Sequence, residues 1–315
     1  MKLIKSIHKQ NHFIIASPRS GTTWMSKMLN MHPAIYCVER RLFGNYADFV
    51  EDKGIADPRL RVTLDKYVNS LFLHHSLPKS KKEKLLQSLI NTIIKEERKY
   101  SGKKILIDKI TPYLNTSTHV IDQINDYFPK AKIIFLVRDG RDVLTSGVFH
   151  WFNKQSAGVV LSDFELQRRK LFLNKDGVKI KRFFQDSEIE QWANEWAQPI
   201  KIINKAKKTH DVKVIHYEDL LKNTTSVLDE VLTFVKAKNT LSILTKSVEA
   251  GSFKMMSKGR EMGNAKQDAH IRKGISGDWK NYFTYEDGKL FHEIAGDELI
   301  EYGYEQNKQW FEKLR

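Results

Sequence analysis

Residues 13–33 read FIIASPRSGTTWMSKMLNMHP, and their two periodicities decide the fold. Phe13, Ile14, Ile15 and Ala16 form a short apolar run of buried-strand type, whereas Met25, Met28 and Leu29 recur at the i, i+3, i+4 spacing of a helix face. The turn between them is SPRSGTT. Gly21 lets the backbone approach a ligand closely, and Ser20, Thr22 and Thr23 place hydroxyls beside the free N–H groups of a helix start. Those donors and the positive end of the helix dipole converge on one point, which suits a phosphate. The His32-Pro33 pair closes the helix, because the residue before proline disfavours the α region.

The loop is not a Walker A sequence, which needs two glycines, a Lys for the β/γ-phosphates and a hydroxyl for magnesium. Here one glycine follows the cation, Arg19, so the expected anion is smaller than a metal-bound triphosphate.

Outward from this stretch the chain alternates strand and helix. Ser80 and Glu83 read as a capping box ahead of Leu85, Leu86, Leu89, Ile90, Ile93 and Ile94, which predicts an amphipathic helix ending at Ser101-Gly102 with a solvated basic face that includes Arg98. Residues 105–107 read as a second strand, 133–137 (IIFLV) as a central parallel strand apolar throughout, and 212–217 (VKVIHY) as a fourth. A helix is expected over 142–152, and an amphipathic, partly acidic one in the last thirty or so residues. Residues 39–58 look loop-like, and 257–277 a long ordered loop. Trp192 and Trp196, at i and i+4, are core residues. Strands alternating with helices argue for a doubly wound α/β sheet, whose ligands bind at the carboxyl ends of the strands. Arg19, Lys109, Arg138 and Tyr217 fall at those ends.

Composition narrows the class. The chain has 315 residues, 41% hydrophobic and 29% charged, as in a soluble globular protein. No apolar run approaches the ~18 residues of a membrane span, and MKLIKSIHKQ lacks a signal-peptide core. One cysteine, Cys37, excludes an internal disulfide framework and reads as a small buried hydrophobe; the expected compartment is the cytoplasm. The formal charge of +15 calls for an anionic partner, which leaves nucleic acid, a membrane surface and an anionic cofactor open. Neither internal repeats nor a low-complexity linker divides the chain.

Two further constellations point to phosphate. Arg138 closes the third strand and Ser146 lies eight positions on, so a guanidinium fork and a hydroxyl could grip one phosphate from two sides. Taken alone, RDGRD reads as a surface turn with ion pairs. Near the C-terminus, Arg272 and Lys273 offer cations and Gly274 a backbone N–H at close approach.

The strings PRSGTTW (18–24), RDGRDVLTSGVFHW (138–151) and RKGISGDWKNYFT (272–284) resemble, in order, the 5′-phosphosulfate loop, the 3′-phosphate motif and the RKGxxGDWKxxFT motif of the sulfotransferases that use 3′-phosphoadenosine 5′-phosphosulfate (PAPS). The last is the most specific match. Arg19 stands where soluble small-molecule members usually have Lys and where tyrosylprotein-type and many bacterial members have Arg. The resemblance implies an α/β fold made of a single P-loop-like domain over 1–315, a central parallel sheet flanked by helices, and transfer of a sulfuryl group to a hydroxyl or amine acceptor. It leaves PAP, 3′-phosphoadenosine 5′-phosphate, as the product and requires no metal. It further implies that Arg19, Ser20, Gly21, Thr22, Thr23, Trp24, Arg138, Ser146, Tyr217, Ser252, Phe253, Arg272, Lys273 and Gly274 hold the cofactor, with Trp24 and Phe253 as walls for the adenine.

For catalysis it implies Arg19 and Ser146 at the leaving oxygen, Lys109 as electrostatic assistance, and a base. Residues 108–112, DKITP, lack the His of cytosolic members and look like the (E/D)K(S/T)P segment of glycan and bacterial enzymes. Glu39 sits close to the Glu base of tyrosylprotein-type members; Asp108 and then His150 are the alternatives. The acceptor and the oligomeric state are not legible; a homodimer is compatible, nucleic acid is not an expected partner, and no membrane span is expected. The alternatives are a P-loop kinase, disfavoured by the missing GK[ST], and a non-enzymatic basic polyanion-binding protein, motivated by the +15 charge.

Overall fold

The computed structural model describes residues 11–43, 60–75, 78–112, 119–155, 163, 165–168, 182–264, 266 and 271–314. Five parallel strands, β1 (Asn11–Ile15), β2 (Ile35–Val38), β3 (Ile105–Ile110), β4 (Ile133–Val137) and β5 (Val212–His216), lie in the order β2-β3-β1-β4-β5. β1 is central; the chain leaves it for β2 at one edge, returns through β3 beside it, and then crosses to β4 and β5 on the other side. The carboxyl end of β1 is therefore the switch point at which doubly wound sheets bind ligands.

Alternation along β1 explains why both faces are covered. Phe13 and Ile15 join Phe135, Val137, Phe149, Trp196 and Phe291 on one face, whereas Ile14 and Ala16 join Met25, Met28, Leu136 and Leu228 on the other. The first face packs α5 (Gly140–Gln155), α6 (Asp186–Ala206) and α11 (Tyr285–Glu301); the second packs α1 (Thr22–Asn30), α8 (Thr224–Phe234) and α9 (Leu241–Ala250). The buried face of α1 is the Met25, Met28, Leu29 stripe.

Several boundaries differ from expectation. The helix α3 (Lys79–Ser101) is present and ends at Gly102 with φ 66°, but it starts one residue before Ser80 with Pro78 at the cap, so Ser80 lies in the first turn and the Ser80–Glu83 capping box does not form. Its buried stripe narrows to Leu86, Ile90 and Ile94, with Leu85 and Ile93 at 36% and 40% exposure. Arg98, expected in a solvated face, donates to Asn11 Oδ1 at 3.0 Å. β3 runs three residues longer than its apolar triplet, because β1 pairs with it through Ile15↔Ile110 and draws Asp108 and Lys109 into the sheet. Tyr217 opens α7 (Tyr217–Lys222) rather than ending β5. The short β2, and the helices α2 (Leu60–His75) and α4 (Val120–Tyr127), were not legible in the periodicity. Among the described residues no helix is long and apolar enough to cross a membrane.

Candidate functional site

The loop after β1 is built on two left-handed residues, Arg19 at φ 65° and Gly21 at φ 90°. Arg19 holds this conformation at the strain cost of a non-glycine residue. Its Nε donates to Ser146 Oγ at 3.1 Å. A Cβ at Gly21 would lie 2.8 Å from the Tyr217 ring, so only glycine fits beside that wall. No side chain caps the first turn of α1, which leaves its N–H groups and dipole directed at the loop. Ser20 faces inward, fully buried and 2.7 Å from Ser17 Oγ, where it braces the turn.

Arg138, at the end of β4, joins the three motifs. Its Nη1 donates to the Arg19 carbonyl at 3.2 Å and its Nη2 to the Ile275 carbonyl at 3.0 Å, and the guanidinium lies over the Tyr217 ring at 4.5 Å. Asp142, one helical turn on, accepts the Gly277 N–H at 2.7 Å and the Trp279 N–H at 3.1 Å. The C-terminal loop is thereby fastened to the start of α5. Within it Gly274, at φ 69°, allows the Phe253 ring so close that a Cβ would lie 2.3 Å away. Burial acts to raise the Asp278 carboxyl, but hydrogen bonds from Lys273 and Arg272 outweigh it and hold the acid below the usual carboxylate range.

These pieces enclose a cavity of about 370 Å³ lined by every residue expected to hold a cofactor except Ser20. Trp24 meets Tyr217 edge-on, with ring centroids 5.7 Å apart, and Phe253 is held by Gly274 and by the Arg260 guanidinium at 5.4 Å. The lining also includes Leu221, Thr224, Val248, Gly251, Met256, Met262, Ile271 and Ile275, which the sequence reading missed. Gly251 carried a signal: it precedes SFKMM, and a Cβ there would strike Met28 Cγ at 2.3 Å. Three buried donors on lining residues, Trp24 Nε1, Arg138 Nε and Arg272 Nη1, have no hydrogen-bond partner among the described residues. The contacts of the two arginines thus leave one nitrogen of each without a hydrogen bond among the described residues.

The candidate bases lie outside that lining. Register explains their meeting: Val38 pairs with Asp108, so Glu39 follows beside Lys109, with Oε2 to Nζ 3.4 Å and Oε1 to Arg41 Nε 3.7 Å. Glu39 is exposed and Lys109 half-buried. Asp108 is 2% exposed; its Oδ1 accepts the Arg40 N–H at 2.8 Å, and burial pushes its carboxyl up to about 7 against the pull of Arg40. His150 is half-buried on α5, one turn beyond Ser146.

Comparison with known proteins agrees with this geometry. The mouse protein Sulfotransferase 2A6 is 28% identical over 217 residues, which is 64% of this chain and 68% of the mouse protein. The rat Sulfotransferase 2A1 is 27% identical over 210 residues, 63% of this chain and 68% of its own. The crystal structure of mouse sulfotransferase SULT7A1 complexed with PAP shares the fold at a TM-score of 0.53, with 18% identity over 99% of this chain and 93% of that one. The sulfotransferase domain model matches residues 9–303, nearly the whole sequence, and the chain belongs to the sulfotransferase domain family.

Proposed function

We propose that this sulfotransferase binds PAPS in the cavity between α1 and the 272–275 loop and passes its sulfuryl group to a hydroxyl-bearing acceptor arriving from the Glu39–Lys109 side. The observation that carries the reading is the convergence of two separate cationic, glycine-containing loops on one aromatic-walled cavity, with Arg138 Nε and Arg272 Nη1 still unspent. The α1 loop suits the 5′ end, and Arg138, Ser146 and Arg272–Gly274 the 3′-phosphate. Trp24 and Phe253 would wall the adenine at about 1–3 kcal/mol each. Bound PAPS supplies a sulfuryl group on a bridging oxygen that leaves with PAP.

The chain's own groups divide the work. Arg19, permanently protonated, stabilises negative charge at that oxygen but does not hand over a proton. Ser146 accepts from Arg19 Nε, so its own hydroxyl hydrogen is directed elsewhere. Glu39 takes the acceptor proton, with the Lys109 ammonium beside it steadying the carboxylate. Asp108, pushed up to about 7, matches a base better in affinity for protons, yet it is buried with one oxygen committed to Arg40. Geometry outranks pKa in that choice, so Asp108 is read as a support for the 39–41 turn.

We read the chain as one cytoplasmic domain. The lone Cys37 is buried and burial pushes its thiol up to about 11, so it is an inert core residue. The test is a screen of phenols, alcohols, steroids and glycans with radiolabelled PAPS. Label in an acceptor, with PAP released, supports the reading; label remaining in PAPS across all classes opposes it.

A further inference from the structure

Arg272 and Lys273 do not wait free for an anion. Arg272 Nη2 and Lys273 Nζ both donate to Asp278, the latter to Oδ1 at 2.6 Å, and Asn281 Nδ2 donates to the same oxygen at 3.0 Å. Asp278 is 3% exposed, and the backbone on either side of it is held by Asp142 through the Gly277 and Trp279 N–H groups. Asp142 itself lies in the first turn of α5, directly after β4. Asp142, on the helix that follows β4, thus anchors the backbone that carries Asp278, and Asp278 in turn holds two cations at the cavity wall. The Arg272 plane is fixed a second time by stacking over Phe149 at 4.5 Å. What this arrangement leaves over is Arg272 Nη1, buried and without a partner among the described residues, on a residue that lines the cavity.

We propose that Asp278 is a positioning residue for the 3′-phosphate: it grips Arg272 and Lys273 from behind, so that both cations are held in place at the cavity wall, and thereby sets the preference for adenosine 3′,5′-bisphosphate over 5′-AMP. The inference rests on the PAPS reading above. A buried carboxylate could instead oppose an incoming anion. Against that, Arg272 and Lys273 together outweigh Asp278 by one positive charge, so the clamp still attracts phosphate. Without the acid, two long side chains would have to be ordered at the moment of binding, and that rotamer entropy is lost in advance here.

The test is calorimetric titration of the full chain with PAP and with 5′-AMP. Asp278→Asn is expected to weaken PAP about tenfold, the scale of a charged hydrogen bond, while 5′-AMP stays within about twofold. Asp278→Glu, which keeps the charge, should recover most of the preference. Asn281→Ala removes a neutral donor to Oδ1 from an exposed side chain and should weaken PAP alone, by about threefold. If Asp278→Asn fails to fold, Asn281→Ala carries the test, and an unchanged PAP to AMP ratio there overturns the proposal. Equal weakening of both ligands, or PAP bound by Asp278→Asn as tightly as by the parent chain, overturns it as well. A parent chain that binds PAP and 5′-AMP equally would overturn the PAPS reading itself, a separate outcome.

Discussion

The donor half and the acceptor half of the site are built in different ways. Around the cavity, Arg138, Asp142 and Asp278 lock three distant loops together through named hydrogen bonds, and both loop glycines are required by the rings packed on them. On the acceptor side Glu39 is exposed and held by ion pairs of 3.4 and 3.7 Å, and the adjoining residues 44–59 and 113–118 lie outside the described residues. A donor of fixed shape selects a preorganised cradle, whose ordering is complete before binding. The proton acceptor must meet a second substrate, and exposed pairs of that kind contribute little to stability.

That contrast is easiest to break at Glu39. Glu39→Gln should lower kcat by about 10²- to 10⁴-fold, the range of a general base, with PAP affinity within about twofold of the parent. Full activity in the variant would remove Glu39 from the role. Arg19→Ala crosses between the halves: it should lower the rate by about 10²- to 10³-fold and weaken PAP as well, since the same group serves charge stabilisation and binding. An unchanged rate with normal affinity would contradict its assignment.

Gly274→Ala belongs to the donor half alone. A side chain at φ 69° is strained and would collide with Phe253, so PAP should bind about tenfold more weakly, with little change in the chemical step once bound. Asp108→Asn is the mildest. Burial lifts the carboxyl from 3.8 to about 7, so the folded state takes up a proton that the unfolded chain releases. Stability of the parent therefore falls as pH rises from about 4 to about 7 and is level above. The variant lacks that slope and still offers an oxygen to Arg40; its melting temperature should exceed the parent's by at least about 3 °C at pH 8 and converge with it near pH 4. Loss of turnover instead would make Asp108 the base.

What could be read from the sequence follows the same division. PRSGTT, Arg138 to Ser146 and RKGISGDW are local strings because a helix start and a glycine loop bind phosphate through consecutive residues, and the cavity gathers them. The clasp that joins them was not legible: Arg138 looks like a free phosphate ligand until its donors are seen on the Arg19 and Ile275 carbonyls, contacts 119 and 137 residues apart in sequence. Likewise Ser20 reads as a ligand by position but turns inward to Ser17. The strand IYCV is too short for periodicity to announce, although its register is what brings Glu39 to Lys109. In α3 a correct helix carried an incorrect start, because Pro78 supplied the extended cap geometry that Ser80 was expected to provide.

We read the cavity as a cradle for adenosine 3′,5′-bisphosphate. Isothermal titration of the full chain with PAP in EDTA, with ATP–magnesium and with duplex DNA tests it most directly. PAP should bind without metal and more tightly than ATP–magnesium, and the DNA should not bind at moderate salt; a preference for ATP–magnesium, or DNA binding with no response to PAP, would overturn the cradle.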